Sequence, residues 1–185
     1  MNTQAKIKMT ADQFLAWCEH QTEGRYELVD GEVVRLAPER VKHVKAKYAL
    51  ARIVEDAILK ARSSCMFLGD GVGVRIDAHH VREPDGCIVE NPAVDDDALE
   101  IQDPVVLFEV SSPSTDGVDT VDKLVEYLSL PSVQHYVQIN ASRGFVIHHK
   151  REGANIAATR ILRGGVLELS PPGIAISIEA LLGKS

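Results

Sequence analysis

The sequence predicts an α/β (α+β) domain: a mixed β-sheet with flanking helices and several β-hairpins. Three observations predict it. Helical and strand-like periodicities interleave along the chain, short turns join neighbouring strand-like runs, and residues 105–110 ("VVLFEV") form an apolar run suited to a strand covered on both faces. The chain has 185 residues, enough for one domain spanning 1–185 with a substantial core.

The elements follow in order. Thr10 and Gln13 have capping-box spacing ahead of Phe14, Leu15, Trp17 and Cys18, a short amphipathic helix. "RYELVDGEVVRLAP" reads as a hairpin with a two-residue Asp30-Gly31 turn. That register sets Val29 opposite Glu32 and Glu27 opposite Val34, so both glutamates share one face. From about 40 to 62, Val41, Val44, Tyr48, Ala51, Val54 and Ile58 recur at helical spacing and predict the buried stripe of a long helix. Residues 65–68 and 72–76 read as short strands around a Gly-rich turn, and "PDGCIVE" leads into another strand. An acidic loop ("NPAVDDDALEIQD") precedes the apolar strand. A helix of about 118–129 follows, then a hairpin turning at "NASRG", a second hairpin in "ILRGGVLEL" and a closing helix near 178–182.

Composition narrows the function. Aromatic residues are 5% of the chain, too few for a stacking platform for single-stranded nucleic acid. Cys18, Cys65 and Cys87 stand far apart without a C-x-x-C pair, which suits a reducing compartment better than a disulfide framework or zinc site. The N-terminus carries no apolar signal segment, and no run approaches the roughly 18 apolar residues of a membrane span. The expectation is a cytoplasmic protein that does not engage a membrane. The net charge of −7 argues against a broad nucleic-acid footprint, but the charge is uneven. Residues 35–62 hold eight Lys/Arg against three acids, whereas residues 83–126 hold thirteen acids and one base, Lys123. Each run can be a solvated face, and the pair together suits a cation site beside a polyanion.

Glu109 is the acid within the apolar strand. A carboxylate there needs a partner, a hydrogen bond or a metal. Alternation sets Val105, Leu107 and Glu109 on one face, with Glu109 near the strand's C-terminal end, where open α/β sheets bind ligands. A buried salt bridge would also explain it. Asp85, in "VREPDGCIV", is by itself an ordinary turn residue. It lies 24 positions before Glu109, room for one loop and a return strand, so two carboxylates can meet at one sheet end. Hard cations such as Mg2+ favour that arrangement. Asp119, Lys123 and Tyr127 lie at i, i+4 and i+8, one helix face. Lys123 is then either half of a surface pair with Asp119 or an ammonium beside the metal that stabilises negative charge on phosphorus.

"YELVDGEVV" followed by "LAP" and His43, then "R-x-PD", "VVLFEVSSPST", "D-x-x-x-K-x-x-x-Y" and "LPSVQHYV" resemble the Uma2 family, within the restriction-endonuclease-like PD-(D/E)XK superfamily. The similarity runs from about residue 10 to 150. It implies a restriction-endonuclease-like core in which Asp85 matches the PD aspartate and Glu109 the acid of the (D/E)XK motif. The lysine two residues after that acid is replaced by Ser111, and Lys123 on the next helix takes its place. Gly86 departs from the family's β-branched residue after PD, and Ser111 from its leucine.

The expected activity is a metal-dependent DNA endonuclease, with Asp85 and Glu109 as ligands of Mg2+ or Mn2+ and Lys123 as charge stabiliser. Glu32 is a further acid that either joins the site or solvates a hairpin end. His43 can touch phosphate or sit near the site. The basic helix, Lys42, Lys45 and Lys47 included, would supply phosphate contacts, and a homodimer would suit the pseudo-two-fold of a duplex. The rival reading is a catalytically inactive nucleic-acid-binding or regulatory module on the same fold. Adjacent His79-His80 and His148-His149 point to opposite sides of an extended chain, a poor chelate. Ser111, Ser112 and Ser114 lack the G-x-S-x-G setting of a serine hydrolase.

Overall fold

The structure is a computed structural model that describes residues 8–90, 94–111, 118–154 and 156–184. Helix α1 (Ala11–Cys18) starts at the expected capping box: the Thr10 hydroxyl accepts the Gln13 N–H (3.3 Å) and the Gln13 side chain accepts the Thr10 N–H (2.9 Å). Strands β1 (Tyr26–Val29) and β2 (Glu32–Arg35) form the expected hairpin in the expected register, Val29 opposite Glu32 and Glu27 opposite Val34. Asp30 and Gly31 both have positive φ (51° and 74°), as a two-residue turn matched to strand twist requires.

Two larger sheets organise the chain. Strand β5 (His80–Arg82) joins β1 to β4 (Gly73–Asp77), and β7 (Glu100–Ile101) adds in parallel, giving the order β2-β1-β5-β4-β7. The second sheet holds β3 (Met66–Gly69), β6 (Gly86–Val89), β8 (Val106–Val110), β9 (His135–Asn140), β10 (Phe145–Gly153) and β11 (Ile156–Leu162), in the order β11-β10-β9-β8-β6-β3. Only β8 and β9 pair in parallel there, linked through helix α3 (Val118–Ser129); β6 and β8 are antiparallel. A small hairpin of β12 (Val166–Leu169) and β13 (Ile174–Ser177) leads to helix α4 (Ile178–Leu181).

Helix α2 (Val41–Ala61) covers one face of the six-stranded sheet: Leu50, Val54, Ala57 and Ile58 pack with Val106, Phe108, Val110, Val137 and Ile139, closed by Leu167 and Ile176. On the other face Leu107 packs with Tyr127, Val133 and Tyr136, and with Val74 of the five-stranded sheet. Strand β8 is therefore enclosed on both sides, as its composition predicts.

The two strands around the Gly-rich turn form as expected, with β3 joining β6 and β4 joining β5 and β7 in the other sheet. Two local expectations are corrected. "ILRGGVLEL" is not a hairpin, because β11 extends the long edge of β10, and β12 turns to β13 so that Leu167, Leu169, Ile174 and Ile176 reach the core beneath α2. The buried stripe of α2 is also not the apolar one over its first turns. Val41, Val44 and Tyr48 are 72%, 51% and 67% exposed, while Lys47 is buried and leads into Leu50, Val54, Ala57 and Ile58. Position 47 faces a cluster of carboxylates rather than hydrocarbon, so the residue that belongs there is a cation.

His148 and His149 separate as expected, whereas His79 lies in the turn before β5. His148 hydrogen-bonds His135 across β9 and β10 (Nε2 to Nδ1, 2.9 Å), while His149 stacks on Tyr136 and bonds Thr159 (2.8 Å).

Candidate active site

Asp85 directly precedes β6, and Gly86 lies opposite Phe108 in the antiparallel register with β8. One step further along that register, Asp85 comes level with Glu109, and both line a cleft of about 280 Å³. Asp85 Oδ2 accepts the Val110 N–H (2.7 Å), which aims Oδ1 at His43 Nε2 (3.5 Å) and Lys47 Nζ (3.6 Å). Burial alone would raise the Asp85 carboxyl; the His43 and Val110 contacts and the Lys47 charge hold it below the usual carboxylate range.

Glu109 behaves oppositely. Its Oε1 accepts from Lys123 Nζ and from the Tyr127 hydroxyl, both at 3.0 Å. Burial nevertheless pushes it up to about 7; Lys123 opposes that shift and the Asp85 charge adds to it. Tyr127 is raised well above its ordinary value by burial and by Glu109, so it stays a phenol and a hydrogen-bond donor. Two neighbouring carboxyls with opposed shifts are what divided acid and base roles require.

Lys123 faces inward. Its side chain is 12% exposed, 3.0 Å from Glu109 and 3.4 Å from Glu27. The side chain of Asp119, its alternative partner, lies outside the described residues, as do Ser112 and Ser114. Beneath it, buried Arg82 bonds Glu27 Oε2 (2.9 Å) and reaches both oxygens of Glu126 (2.5 and 2.8 Å). The Glu83 N–H donates to Glu27 Oε1 (3.0 Å). Glu32 does not line the cleft: every residue of β2 is exposed, and the hairpin acid that reaches Lys123 is Glu27. The two acids share a face, but the cleft abuts the end of the hairpin away from the turn.

A second group of ion pairs lies on the α2 side of Asp85. Arg25 reaches Glu39 (2.7 Å), Asp70 (3.0 Å) and Glu83 (2.6 Å). Lys47 bonds Glu39 and, at 2.5 Å, Asp70. Burial works against the Lys47 ammonium, yet Asp70, Glu39 and Asp85 raise it above its usual value, so it is a permanent internal cation and not an exposed phosphate contact. Single ligand atoms of Glu39, His43 and Asp85 all lie within 4.8 Å of one another. His43, from the first turn of α2, is raised by the neighbouring Asp85 carboxylate, against burial. Sequence reasoning placed Lys47 on the wrong surface and passed over Glu39 and Arg82. The available signal was the four-residue spacing of His43 and Lys47 running on into Leu50 and Val54, a buried stripe whose first two members are polar.

The departures at Gly86 and Ser111 leave the acids in place. A Cβ at Gly86 would lie 2.5 Å from Phe67 Cζ, so the Phe67 ring takes the room of a side chain after the Pro84-Asp85 pair. Ser111 lines the cleft, and its N–H bonds the Ile139 carbonyl (2.9 Å).

Two-sided β8, its parallel neighbour β9 and the acids brought together at the β6–β8 end make a restriction-endonuclease-like core. The chain belongs to the Uma2 family, whose profile, described as "Putative restriction endonuclease", matches residues 11–182. An uncharacterized protein from Synechocystis sp. is 26% identical over 147 residues, 78% of this chain and 82% of its own. A crystal structure from Anabaena variabilis, titled as a putative nuclease belonging to DUF820, superposes with a TM-score of 0.74 at 14% identity, covering 95% of this chain and 98% of that one. At that identity the likeness is one of fold. No helix among the described residues is long and apolar enough to cross a membrane.

Proposed function

We propose that the protein is a metal-dependent endonuclease that hydrolyses phosphodiester bonds in DNA. The observation that carries this reading is the meeting of Asp85 and Glu109 in one cleft, with Lys123 held 3.0 Å from Glu109. The donor set fits a hard divalent ion, Mg2+ or Mn2+: two carboxylates line one cleft, and one of them is raised by burial and by its neighbour's charge, a penalty that a bound cation relieves. An ion held by Asp85 and Glu109 would supply Lewis-acid polarisation of the scissile phosphate.

The protein's own groups complete the chemistry. Asp85 is fixed by the Val110 N–H and stays ionised, ready to bind. The Lys123 ammonium is positioned by Glu27 and Glu109, so its charge is in place before negative charge develops on phosphorus. Tyr127 orients the same Glu109 oxygen. Arg40 and Lys42 line the outer wall, and exposed Lys45 extends that basic surface along α2 for the phosphate backbone. A homodimer would present two clefts to the two strands of a duplex.

The test is incubation of the pure protein with single-stranded, double-stranded and branched DNA in Mg2+ or Mn2+, beside Glu109→Gln. Metal-dependent cleavage that vanishes in the variant is the expected result. DNA binding without cleavage in either metal would overturn it in favour of a catalytically inactive binding module.

A further inference from the structure

We infer a second cation position on the α2 side of Asp85, formed by His43 Nε2, Asp85 Oδ1 and a Glu39 carboxylate oxygen, which takes an imidazole-accepting ion such as Co2+ or Zn2+ in preference to Mg2+. It rests on reading the cleft as a metal-binding site, and it adds ligands from α2 that the Asp85–Glu109 pair does not include.

The geometry points there in three ways. One ligand atom from each of Glu39, His43 and Asp85 lies within 4.8 Å of the other two, and the three residues are buried or half-buried. The His43 Nε2 to Asp85 Oδ1 separation of 3.5 Å exceeds the roughly 2.7–3.2 Å of a good N–H···O bond. It is, however, the spacing of two ligands on one tetrahedral ion, since bonds of about 2.1 Å place their donor atoms about 3.4 Å apart. Third, the hydrogen bonds already present leave one oxygen of each carboxylate available. The Val110 N–H engages Asp85 Oδ2 and turns Oδ1 toward His43. Arg25 and Lys47 both engage Glu39 through Oε1, which leaves Oε2 for an ion.

Lys47 is the obvious competitor, because its ammonium is 3.6 Å from Asp85 and bonded to Glu39. It also holds Asp70 at 2.5 Å, so it keeps a carboxylate partner when Glu39 turns to an ion. Its part is to hold three acids together against their own repulsion until a cation arrives. The ligand chemistry sets the selectivity. Imidazole nitrogen suits Co2+ and Zn2+, whereas Mg2+ prefers oxygen and retains its waters. The hard-ion position at Asp85–Glu109 and this position would share Asp85.

The experiment uses the full chain stripped with EDTA and titrated calorimetrically with Co2+ and with Mg2+. Wild type should bind Co2+ at least about tenfold more tightly than Mg2+. His43→Gln, which keeps a polar side chain without the imidazole, should lose about tenfold or more in Co2+ affinity and little for Mg2+. In 15N-histidine-labelled wild type, diamagnetic Zn2+ should shift the His43 ring nitrogen that ligates it before the rings of the other histidines, a readout that needs no variant to fold. An unshifted His43 ring, or unchanged Co2+ affinity in His43→Gln, overturns the inference. If Glu109→Gln still weakens Mg2+ binding in that case, the reading of the cleft as a metal site survives. Absence of binding by either ion to wild type overturns both.

Discussion

Replacing Glu109 by Gln should stabilise the metal-free protein at pH 8 and leave it nearly unchanged at pH 5. The reasoning starts from burial: the side chain is 17% exposed, and its carboxyl is raised from 4.5 to about 7. Between those two values the folded protein retains a proton that the unfolded chain releases, so stability falls as pH rises through this window and levels off above it. The difference of about 2.5 pH units, at roughly 1.4 kcal/mol each, amounts to about 3 kcal/mol lost by pH 8. Gln has the shape of the protonated acid and escapes that loss, and Lys123 keeps Glu27 as its partner at 3.4 Å. For a chain of this size 3 kcal/mol corresponds to roughly 6–12 °C in melting temperature. The assay is thermal melting followed by circular dichroism in EDTA at several values between pH 4.5 and 8.5, wild type against variant. The gap should open as pH rises. A constant gap, or a variant that melts below wild type at pH 8, would show that Glu109 is not held against its own ionisation.

Lys123→Met should lower single-turnover cleavage by about 100-fold or more with DNA affinity nearly intact, whereas a surface ion pair would be almost silent; rates are measured at saturating enzyme in Mn2+. Replacing Lys42 and Lys45 by Ala should weaken DNA binding uniformly across sequences and reduce the log–log salt slope by about 2, read by fluorescence anisotropy at several salt concentrations. Buried His135 and His148 are each lowered to about 4, chiefly by burial, so the folded state resists protonation that the unfolded chain accepts near 6.5. Stability should therefore drop as pH falls from about 6.5 toward 4. His135→Phe with His148→Leu should flatten that fall in a melting series, and an unchanged slope would place acid sensitivity elsewhere.

Much of the fold is written in local patterns. Thr10–Gln13 and Asp30–Gly31 act through contacts within a few residues, so the α1 start and the β1–β2 register are legible from the sequence. The enclosed strand is legible too, because only a segment covered on both faces tolerates the run ending at Val110. Asp85 and Glu109 were nameable because strand alternation and one return connection bring them to the same sheet end. What only the tertiary structure decided is which charges are inside. Lys47 looks like a member of a solvated basic run, and Val41, Val44 and Tyr48 look like core, until the carboxylates of Asp70 and Asp85 arrive from beyond the helix to join Glu39 at its start. Glu27 and Glu32 share a face, and only the arrival of Arg82 and Lys123 at one end of the hairpin separates the buried acid from the exposed one. Periodicity counts apolar side chains along one element, whereas the burial of a charge depends on partners distant in sequence, so these positions become readable only once the chain has closed around them.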